Sequence, residues 1–474
     1  MNSAIKTTAN SQRHPIENED FTLPESWVNS ALGEYLHLKN GFAFKSNSYV
    51  KPTKDTFPVI RISDIDGKLA SDKKAVHVQS GENGFAVNAG DLLIAMSGAT
   101  TGKIGVYNGS TPAYQNQRVG NLKLLSNQHG DDNFKNYLVK SVSNNIIKIA
   151  YGGAQPNISG AAIEAMEINL PPLAEQKVIA DKLDELLAQV DTLKARLDAI
   201  PATIKRFRQS VLAAAVSGKL TDEWSAQELK LQDIADFQNG YAFKSEWFKK
   251  SGDYQVIKLG NIRDGRLALE NSPAFIDANI GENYIKHSPS EGDILLGMTG
   301  TRHKKDYGFC CRIQSNLNIL INQRVGRIIP DRGYVLPHYL EIFLRSELFR
   351  SQFFIGETGG VNQGNVGSKH IMSTSISLPP LHVQTKIVHQ VEQLFTYADQ
   401  VEQQVKNAQA CVNQLTQSIL AKAFRGELTE QWRKDNPELI SGDNSATALL
   451  ERIKAERAAA KPAKKKAPAR KAKV

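Results

Sequence analysis

Apolar residues recur at steps of four and three along two stretches of the chain. The first stretch holds ten such positions between residues 179 and 211, and the second holds ten between 387 and 419, each 208 residues after its counterpart. An unbroken a/d pattern of this length is typical of two helices packed along a seam. The predicted seam includes Ile179, Leu183, Leu186, Val190, Leu193 and Leu197 in the first helix and Ile387, Val391, Leu394, Val401, Val405 and Leu415 in the second.

The sequences that flank the two stretches also repeat, which predicts where each helix begins and ends. LPPL occurs at residues 170–173 and 378–381, and prolines fit a helix start because the missing N–H would be unpaired there. Gly218 and Gly426 follow the apolar stretches and suit helix C-termini. Such rods would be roughly 50 Å long. The seam fits parallel and antiparallel pairing equally well, and antiparallel pairing, with Leu197 facing Val401, follows if a twofold axis relates the copies.

A segment rich in short β-type runs precedes each helix, and these two segments repeat as well. NGFAFKS at residues 40–46 matches NGYAFKS at 239–245, and NQRVG occurs at both 116–120 and 322–326. Runs of β-branched residues separated by Gly, Asn and Asp predict strands. We therefore predict a mixed α/β (α+β) fold with a pseudo-twofold internal repeat, in which two β-rich domains are joined by two long helices that form an antiparallel coiled coil.

The repeat boundaries divide the chain into six predicted segments. They are a disordered leader (1–20), a first globule (21–170), a first long helix (171–218), a second globule (219–378), a second long helix (379–426), and a C-terminal helix with a basic disordered tail (427–474). The apolar stripe of the C-terminal helix is expected to dock on the long helices or on a partner.

The net charge of +9 is concentrated in the tail, since removing its seven bases leaves 51 basic against 49 acidic residues. Any specific nucleic-acid surface must then be a local patch. The three cysteines have neither a disulfide pattern nor a metal-ligand spacing. No apolar run is long enough to span a membrane and no signal peptide is evident, so we expect a cytoplasmic protein without membrane contact. The sequence contains no HExxH, GxSxG or dinucleotide-binding motif.

Several motifs together resemble those of the specificity subunit of type I restriction-modification enzymes, with the C-terminal part closest to the EcoKI and EcoBI branch. They are the paired LPPLxxQ helix entries, the NQRVG blocks, the GGAQPNISG and GGVNQGNVGSKHI segments, and the C-terminal LTQSILAKAFRGELTEQWRKDNPELISG. The resemblance covers nearly the whole chain and is weakest inside the globules.

This resemblance implies that each globule is a target recognition domain that reads one half of a bipartite, asymmetric site in double-stranded DNA. It further implies that the long helices set the gap between the half-sites and bind two methyltransferase subunits, which restriction or motor subunits join. S-adenosylmethionine, ATP and magnesium would then serve the partner subunits. The chain itself is expected to hold no cofactor, no metal and no catalytic residue.

Candidate DNA contacts follow from comparing the two globules. Residues that both globules share cannot distinguish two half-sites, so they are predicted to contact phosphates or the framework. These are Lys45, Arg61, Gln117 and Arg118 in the first globule and Lys244, Lys258, Gln323 and Arg324 in the second. Residues that differ are the predicted contacts to base edges. These are Thr100, Thr101, Lys103, Gln155 and Asn157 against Arg302, His303, Lys304, Lys305, Asn362, Gln363 and Asn365.

Other interpretations stay open at this stage. The NQR blocks suit turns that are braced by a buried Gln or Arg, and residues 302–305 suit a merely solvated basic turn. For the whole chain, the main alternative is a scaffold or adaptor that tethers two protein ligands at a fixed separation, and it predicts no salt-sensitive DNA binding. A free-standing enzyme acting on nucleic acid would need a catalytic cluster, which the sequence does not suggest.

Overall fold

The computed structural model describes residues 22–152 and 156–460. The predicted leader, the basic tail and Gln155 lie outside these residues. The chain divides into two compact units, of which the first runs to Lys194 and resumes at Ala410, and the second spans Ala195–Gln409. Each long helix therefore contributes to both units. Within the described ranges, no helix is both long and apolar enough to cross a membrane.

The first unit contains two five-stranded sheets. Its strands are β1 (Val28–Ala31), β2 (Leu36–Asn40), β3 (Tyr49–Val50), β4 (Phe57–Ile60), β5 (Leu69–Ala70), β6 (Val76–Val78), β7 (Ala86–Val87), β8 (Leu92–Ala95), β9 (Ile104–Tyr107), β10 (Ala113–Gln115), β11 (Val119–Leu124) and β12 (Glu167–Leu170). The sheet orders are β2-β11-β8-β9-β5 and β3-β6-β4-β10-β7. All four residues of β8 are buried, as its wholly apolar sequence favours for an inner strand.

A separate antiparallel pair joins the two chain ends of the first globule. It runs from Val28 opposite Leu170 to Ala31 opposite Glu167, so β1 and β12 bring the start and the end of the globule together. The helices of this region are α1 (Asp132–Ser141), α2 (Ser143–Ala150), α3 (Gly160–Glu164) and the long α4 (Leu173–Val216).

The second unit repeats much of this arrangement. Its strands are β13 (Gln227–Lys230), β14 (Ala235–Asn239), β15 (Tyr254–Ile257), β16 (Ile262–Arg263), β17 (Arg266–Leu267), β18 (Phe275–Ile276), β19 (Ile294–Gly297), β20 (Thr299–Thr301), β21 (Cys310–Arg312), β22 (Ile319–Ile321), β23 (Val325–Pro330), β24 (Glu357–Gly359), β25 (Gln363–Val366) and β26 (Ser375–Leu378). The larger sheet has the order β14-β23-β19-β21, and β13 pairs with β26 as β1 pairs with β12.

The remaining helices are α5 (Ala278–Gly281), α6 (Pro337–Arg345), α7 (Glu347–Ile355), α8 (Ser368–Met372), the long α9 (Leu381–Phe424), α10 (Glu430–Asp435) and α11 (Ala446–Ala460). The two long helices are 44 residues each. Their bounds differ by 208 residues at both ends, as the sequence repeat predicts.

The two long helices pack antiparallel within each unit. In the first unit, Ile179 and Leu183 near the start of α4 share a buried core with Leu420 and Ala423 near the end of α9. In the second unit, the end of α4 shares a core with the start of α9, where Val211 lies in the same cluster as Ile387. The predicted antiparallel direction is therefore confirmed. The predicted register, with Leu197 facing Val401, is wrong: it would place residue 409 opposite 189, about 13 Å along the helix from Asp198, whereas Gln409 donates to Asp198 at 2.8 Å.

Burial along the predicted seam is uneven. Ile179, Leu183, Val190, Ile387, Val391 and Val405 are buried, whereas Leu186, Leu197, Leu394 and Val401 are half-buried. Leu193 and Leu415 keep 45% and 40% of their surface exposed, because two helices packed along one stripe leave their flanks in solvent. Arg208 crosses between the helices in the second unit and donates to Glu402 at 3.0 Å.

Paired cysteines test this register directly. We expect cysteines introduced by Asp198→Cys and Gln409→Cys to be joined readily by a short bis-maleimide, because the Gln409 side chain donates to Asp198 at 2.8 Å across the antiparallel seam. The exposed Cys411 is first replaced by serine, while Cys310 and Cys311 are buried and stay in place. Electrophoresis under non-reducing conditions measures the product. Efficient joining of positions 198 and 406, with none between 198 and 409, would instead indicate parallel pairing.

The C-terminal helix docks on the first globule's core. Leu449, Leu450 and Ile453 of α11 belong to the same buried cluster as Phe134 of α1. Lys454 pairs with Glu34 at 3.1 Å on the edge of this contact. The apolar stripe that the sequence shows in this helix is thus covered inside the chain, by the first globule as well as by the long helices.

A buried carboxylate connects the same region. Glu175, at the start of α4, is fully buried and accepts hydrogen bonds from the Trp27 indole at 2.8 Å, the Thr429 hydroxyl at 2.6 Å and the Arg433 guanidinium at 2.6 Å. These partners come from the first globule and from the segment after α9. The network therefore holds three separate parts of the chain together.

Candidate nucleic-acid interface

The two most repeated motifs of the globules lie against each other. Phe42 of the first NGFAFKS motif forms a parallel bridge with Asn116 of the NQRVG block, and Tyr241 pairs in the same way with Asn322. A glycine is required where these two backbone segments meet, since a Cβ on Gly41 would lie 2.1 Å from the Asn116 carbonyl oxygen. The repeat in sequence therefore reflects a repeated backbone contact.

A short ladder of backbone hydrogen bonds joins the NQR block to the loops that differ between the globules. In the first globule, the Met96 amide donates to the Arg118 carbonyl at 2.9 Å, and the Ile158 amide donates to the Met96 carbonyl at 3.0 Å. In the second globule, Met298 lies in the same way between Arg324 and Val366, at 3.1 and 3.0 Å. Each globule thus holds its NQR block next to one of the loops that differ between the copies.

The NQR side chains are exposed in both globules, namely Gln117, Arg118, Gln323 and Arg324. The backbone of the blocks is held by carbonyl partners, as where the Gln323 amide donates to the Tyr241 carbonyl at 2.9 Å. A turn braced by a buried Gln or Arg is therefore not what these blocks form. Their side chains are available to solvent and to a ligand.

The predicted basic framework residues differ in their surroundings. Lys45 and Lys244 are exposed, and the Lys244 ammonium lies 5.4 Å from the centre of the Trp247 ring. Lys258 stacks over Phe248 at 4.2 Å. Arg61 is half-buried and lies 3.6 Å from the Asp64 carboxylate, which offsets its charge. The Lys244 ammonium likewise lies 3.8 Å from the Glu246 carboxylate, so Lys45 and Lys258 are better placed than Arg61 and Lys244 to attract a phosphate.

One predicted base contact in the first globule has a structural role instead. Thr101 is only 3% exposed, and its hydroxyl donates to the Gly98 carbonyl at 2.6 Å, so it stabilises the turn and presents no group to DNA. Thr100 is half-buried and donates to the Ile62 carbonyl at 3.2 Å. Lys103 and Asn157 are exposed, and Asn157 forms a bridge with Ser97 that places the two loops side by side.

In the second globule the two predicted loops form one small sheet. β25 pairs with β20, with Gln363 opposite Thr301 and Asn365 opposite Thr299, and β24 pairs with the other edge of β25. The Arg302 amide, directly after β20, donates to the Asn362 carbonyl at 3.3 Å. All seven predicted base contacts of this globule therefore lie on one sheet and its adjoining turn. They are Arg302, His303, Lys304, Lys305, Asn362, Gln363 and Asn365.

The turn at residues 302–305 is held by specific contacts and is not merely a solvated basic turn. Arg350 of α7 donates to the Gly308 carbonyl at 3.0 Å and to the Lys305 carbonyl at 3.3 Å. Arg302 donates to Glu357 at 3.1 Å. The Tyr307 hydroxyl, followed by the Arg302 guanidinium, lowers the pKa of Glu357 below its ordinary value. His303, Lys304 and Lys305 remain exposed around this fixed turn.

Aromatic residues beside the shared motifs were not among the sequence candidates. Phe42 packs edge-on against Phe44 at 5.0 Å, and in the second globule Tyr241 lies 4.2 Å from Tyr284, between ring centres. The signal was present in the repeated Phe/Tyr-Ala-Phe-Lys sequence, of which only the lysines were selected. In the second globule Tyr284 also lies 5.9 Å from Trp247, the ring beside the Lys244 ammonium, and lysine over an aromatic face is a favourable contact.

In each globule, exposed Lys and Arg side chains and exposed Gln or Asn amides lie in the NQR block and in the loops joined to it. Within residues 22–152 and 156–460, no group of three or more His, Cys, Asp and Glu side chains is arranged to hold a metal ion. Exposed Lys and Arg can bind phosphates, while Asn, Gln and Arg can bind base edges.

Comparisons of the sequence with known proteins all indicate the same family. The family model for the type I restriction modification DNA specificity domain matches residues 24–202 and 222–409. The EcoBI specificity subunit of Escherichia coli is 36% identical over 92% of this chain and 94% of its own length. The EcoKI specificity subunit of Escherichia coli K12 is 37% identical over 92% of this chain and 97% of its own length.

Solved structures match the fold at lower sequence identity. A chain from a structure described as showing complex assembly and conformational transition of the type I R-M system aligns with a TM-score of 0.64 and 18% identity, and covers 86% of this chain and 100% of that chain. The HsdS subunit from Thermoanaerobacter tengcongensis aligns with a TM-score of 0.53 and 19% identity, covering 86% of this chain and 99% of that one.

Proposed function

The chain belongs to the specificity subunits of type I restriction-modification enzymes, and we propose that each of its globules reads one half of a bipartite, asymmetric DNA site. The family makes it a DNA-recognition subunit. The assignment of one half-site to each globule is supported chiefly by the repeated backbone ladder, which joins an NQR block to loops that differ between the copies.

The division between shared and different residues supports distinct roles. Exposed residues common to both globules, such as Arg118 and Arg324, suit phosphate contacts that set the position of each globule. The loops carrying Lys103 and Asn157 in one globule, and residues 302–305 and 362–365 in the other, suit base-edge contacts because their chemistry differs. Two half-sites of different sequence follow from such a pair of surfaces.

The proposal also includes the partner subunits of this chain. The two long helices bind two methyltransferase subunits and set the separation of the half-sites, and motor subunits join this assembly for restriction. S-adenosylmethionine, ATP and magnesium act in those partners, which methylate adenine and cleave DNA, while this chain takes no catalytic step. The repeated pair of helices supports two equivalent partner sites.

Selection from a random pool of duplex DNA tests the proposal. The chain, assembled with its methyltransferase subunits, is expected to enrich sequences with two fixed blocks separated by a gap of free sequence. Binding should weaken steeply with salt, as for any protein that neutralises several phosphates. A single continuous block, or no enrichment at all, would contradict the proposal. A scaffold for two protein ligands predicts the second of these results.

A further inference from the structure

A valine lies at the tip of the β24–β25 hairpin with its side chain in solvent. Val361 is 79% exposed, in the connection between Gly359 at the end of β24 and Gln363 at the start of β25. Ordinary exposed valines lie singly on flat surfaces and need no explanation. This one lies at the end of the β24–β25 ribbon, between Gly360 and the candidate base contact Asn362. The third strand of the sheet, β20, pairs with β25 only as far as Gln363, so the turn lies beyond it.

The base of this ribbon is closely packed. Gly359 has a φ of +112°, and a Cβ there would lie 2.3 Å from the Gln363 carbonyl oxygen, so the turn requires glycine. A Cβ on Gly364 would lie 2.1 Å from the Tyr307 hydroxyl, which itself donates to Glu357. Tyr307 is fully buried. The ribbon therefore leaves the globule in a defined direction, with Val361 at its end.

Cations surround the base of the tip. The Arg302 side chain lies between the Glu357 carboxylate and the Gly360 carbonyl, at 3.1 and 3.5 Å. Lys304 and Lys305 of the same turn are exposed. Because Arg302 offsets the charge of Glu357, the region next to the tip is positive. An apolar tip flanked by cations suits a polyanion that also offers an apolar group.

The major groove of DNA has those properties. It is about 12 Å wide and admits a two-stranded β-ribbon, and the thymine 5-methyl is the apolar group that its base edges display. We propose that Val361 packs against a thymine methyl in the half-site read by the second globule, which makes it a specificity-determining residue. This inference rests on the proposed function. In the sequence of the first globule, the matching glycine pair is followed by alanine, Ala154, so the residue at this repeat position differs in size.

Replacing thymine by uracil tests the contact, since uracil lacks only the methyl group. Once the target is known, each thymine of both half-sites is replaced in turn, and binding is measured for the chain assembled with its methyltransferase subunits. For the unaltered chain, one uracil in the second globule's half-site should weaken binding about fourfold, as expected for exposing one methyl group. In the Val361→Ala variant, which lacks both γ-methyl groups, the same uracil should have little effect.

The matched control is Tyr334→Ala, which removes another exposed side chain of the same unit, 57% exposed and distant in sequence from the ribbon. This variant should keep the full thymine effect. The inference is overturned if that half-site contains no thymine on either strand, or if every uracil weakens the unaltered chain and Val361→Ala equally. A loss of all sequence preference in the unaltered chain would instead reject the proposed function itself.

Discussion

Exchange of residues 24–169 for the corresponding globule of a relative is expected to change one half of the methylated DNA site completely and to leave the other half unaltered. The expectation follows from the pairing of β1 with β12, which brings the two ends of the globule together. Both junctions between the exchanged globule and the rest of the chain therefore lie at the same place. Sequencing of adenine methylation in a host that carries the chimaera and its partner subunits measures both halves at once.

The reciprocal exchange of residues 227–377 is the control, because β13 and β26 close the second globule in the same way. It should change only the other half-site. The grafted globule must retain the residues that contact the long helices, since Ile179 and Leu183 belong to the first globule's core. A change in both halves after either exchange would show that the globules do not read independently.

The largest effect on stability is expected from Arg433→Ala. This variant leaves the fully buried Glu175 carboxylate without its guanidinium, and breaking a buried ion pair costs about 3 to 5 kcal/mol. Amide hydrogen exchange of α11 and of the start of α4 should rise at least about a hundredfold, because these parts open together.

Arg425→Ala provides the matched control within the same segment. Arg425 pairs with Glu427, but 37% and 42% of their side chains are exposed, and such pairs contribute at most about 1 kcal/mol. Exchange of α11 should therefore change little in this variant. Equal and small effects of the two substitutions would show that the Glu175 network does not hold the C-terminal segment in place.

The sequence predicted those features that depend on periodic patterns and exact repeats. The a/d pattern predicted both long helices, and the structure confirms their antiparallel packing. The uneven burial of the seam was not predictable, because Leu193 and Leu415 have the same residue type and spacing as their buried neighbours. Whether each is covered depends on which globule packs beside it.

Contacts between distant parts of the chain explain the remaining differences. Glu175 and Arg433 are 258 residues apart, and their counterparts in the other copy of the repeat are Val383 and Ser225, so no repeat signal marked the network. Thr101 suited a base contact by residue type, but the carbonyls of Gly98 and Pro156 occupy its hydroxyl. Val361 was not predicted as a DNA contact because its side chain has no polar group. Its proposed role depends on its exposure at a hairpin tip, which the sequence does not show.

The central claim, that each globule contacts its own half-site, is tested most directly by crosslinking from one position in each globule. Lys103 and Lys304, both exposed, are replaced singly by cysteine in a Cys411→Ser background and coupled to a short photoreactive group. Burial raises the pKa of the native Cys311 thiol to about 12 and raises that of Cys310 well above its ordinary value, so both stay unlabelled. We predict that the probe at position 103 crosslinks only to bases of one half-site. The probe at position 304 should crosslink only to bases of the other half-site. Crosslinks from both positions to the same half-site would contradict the claim that each globule contacts its own half-site.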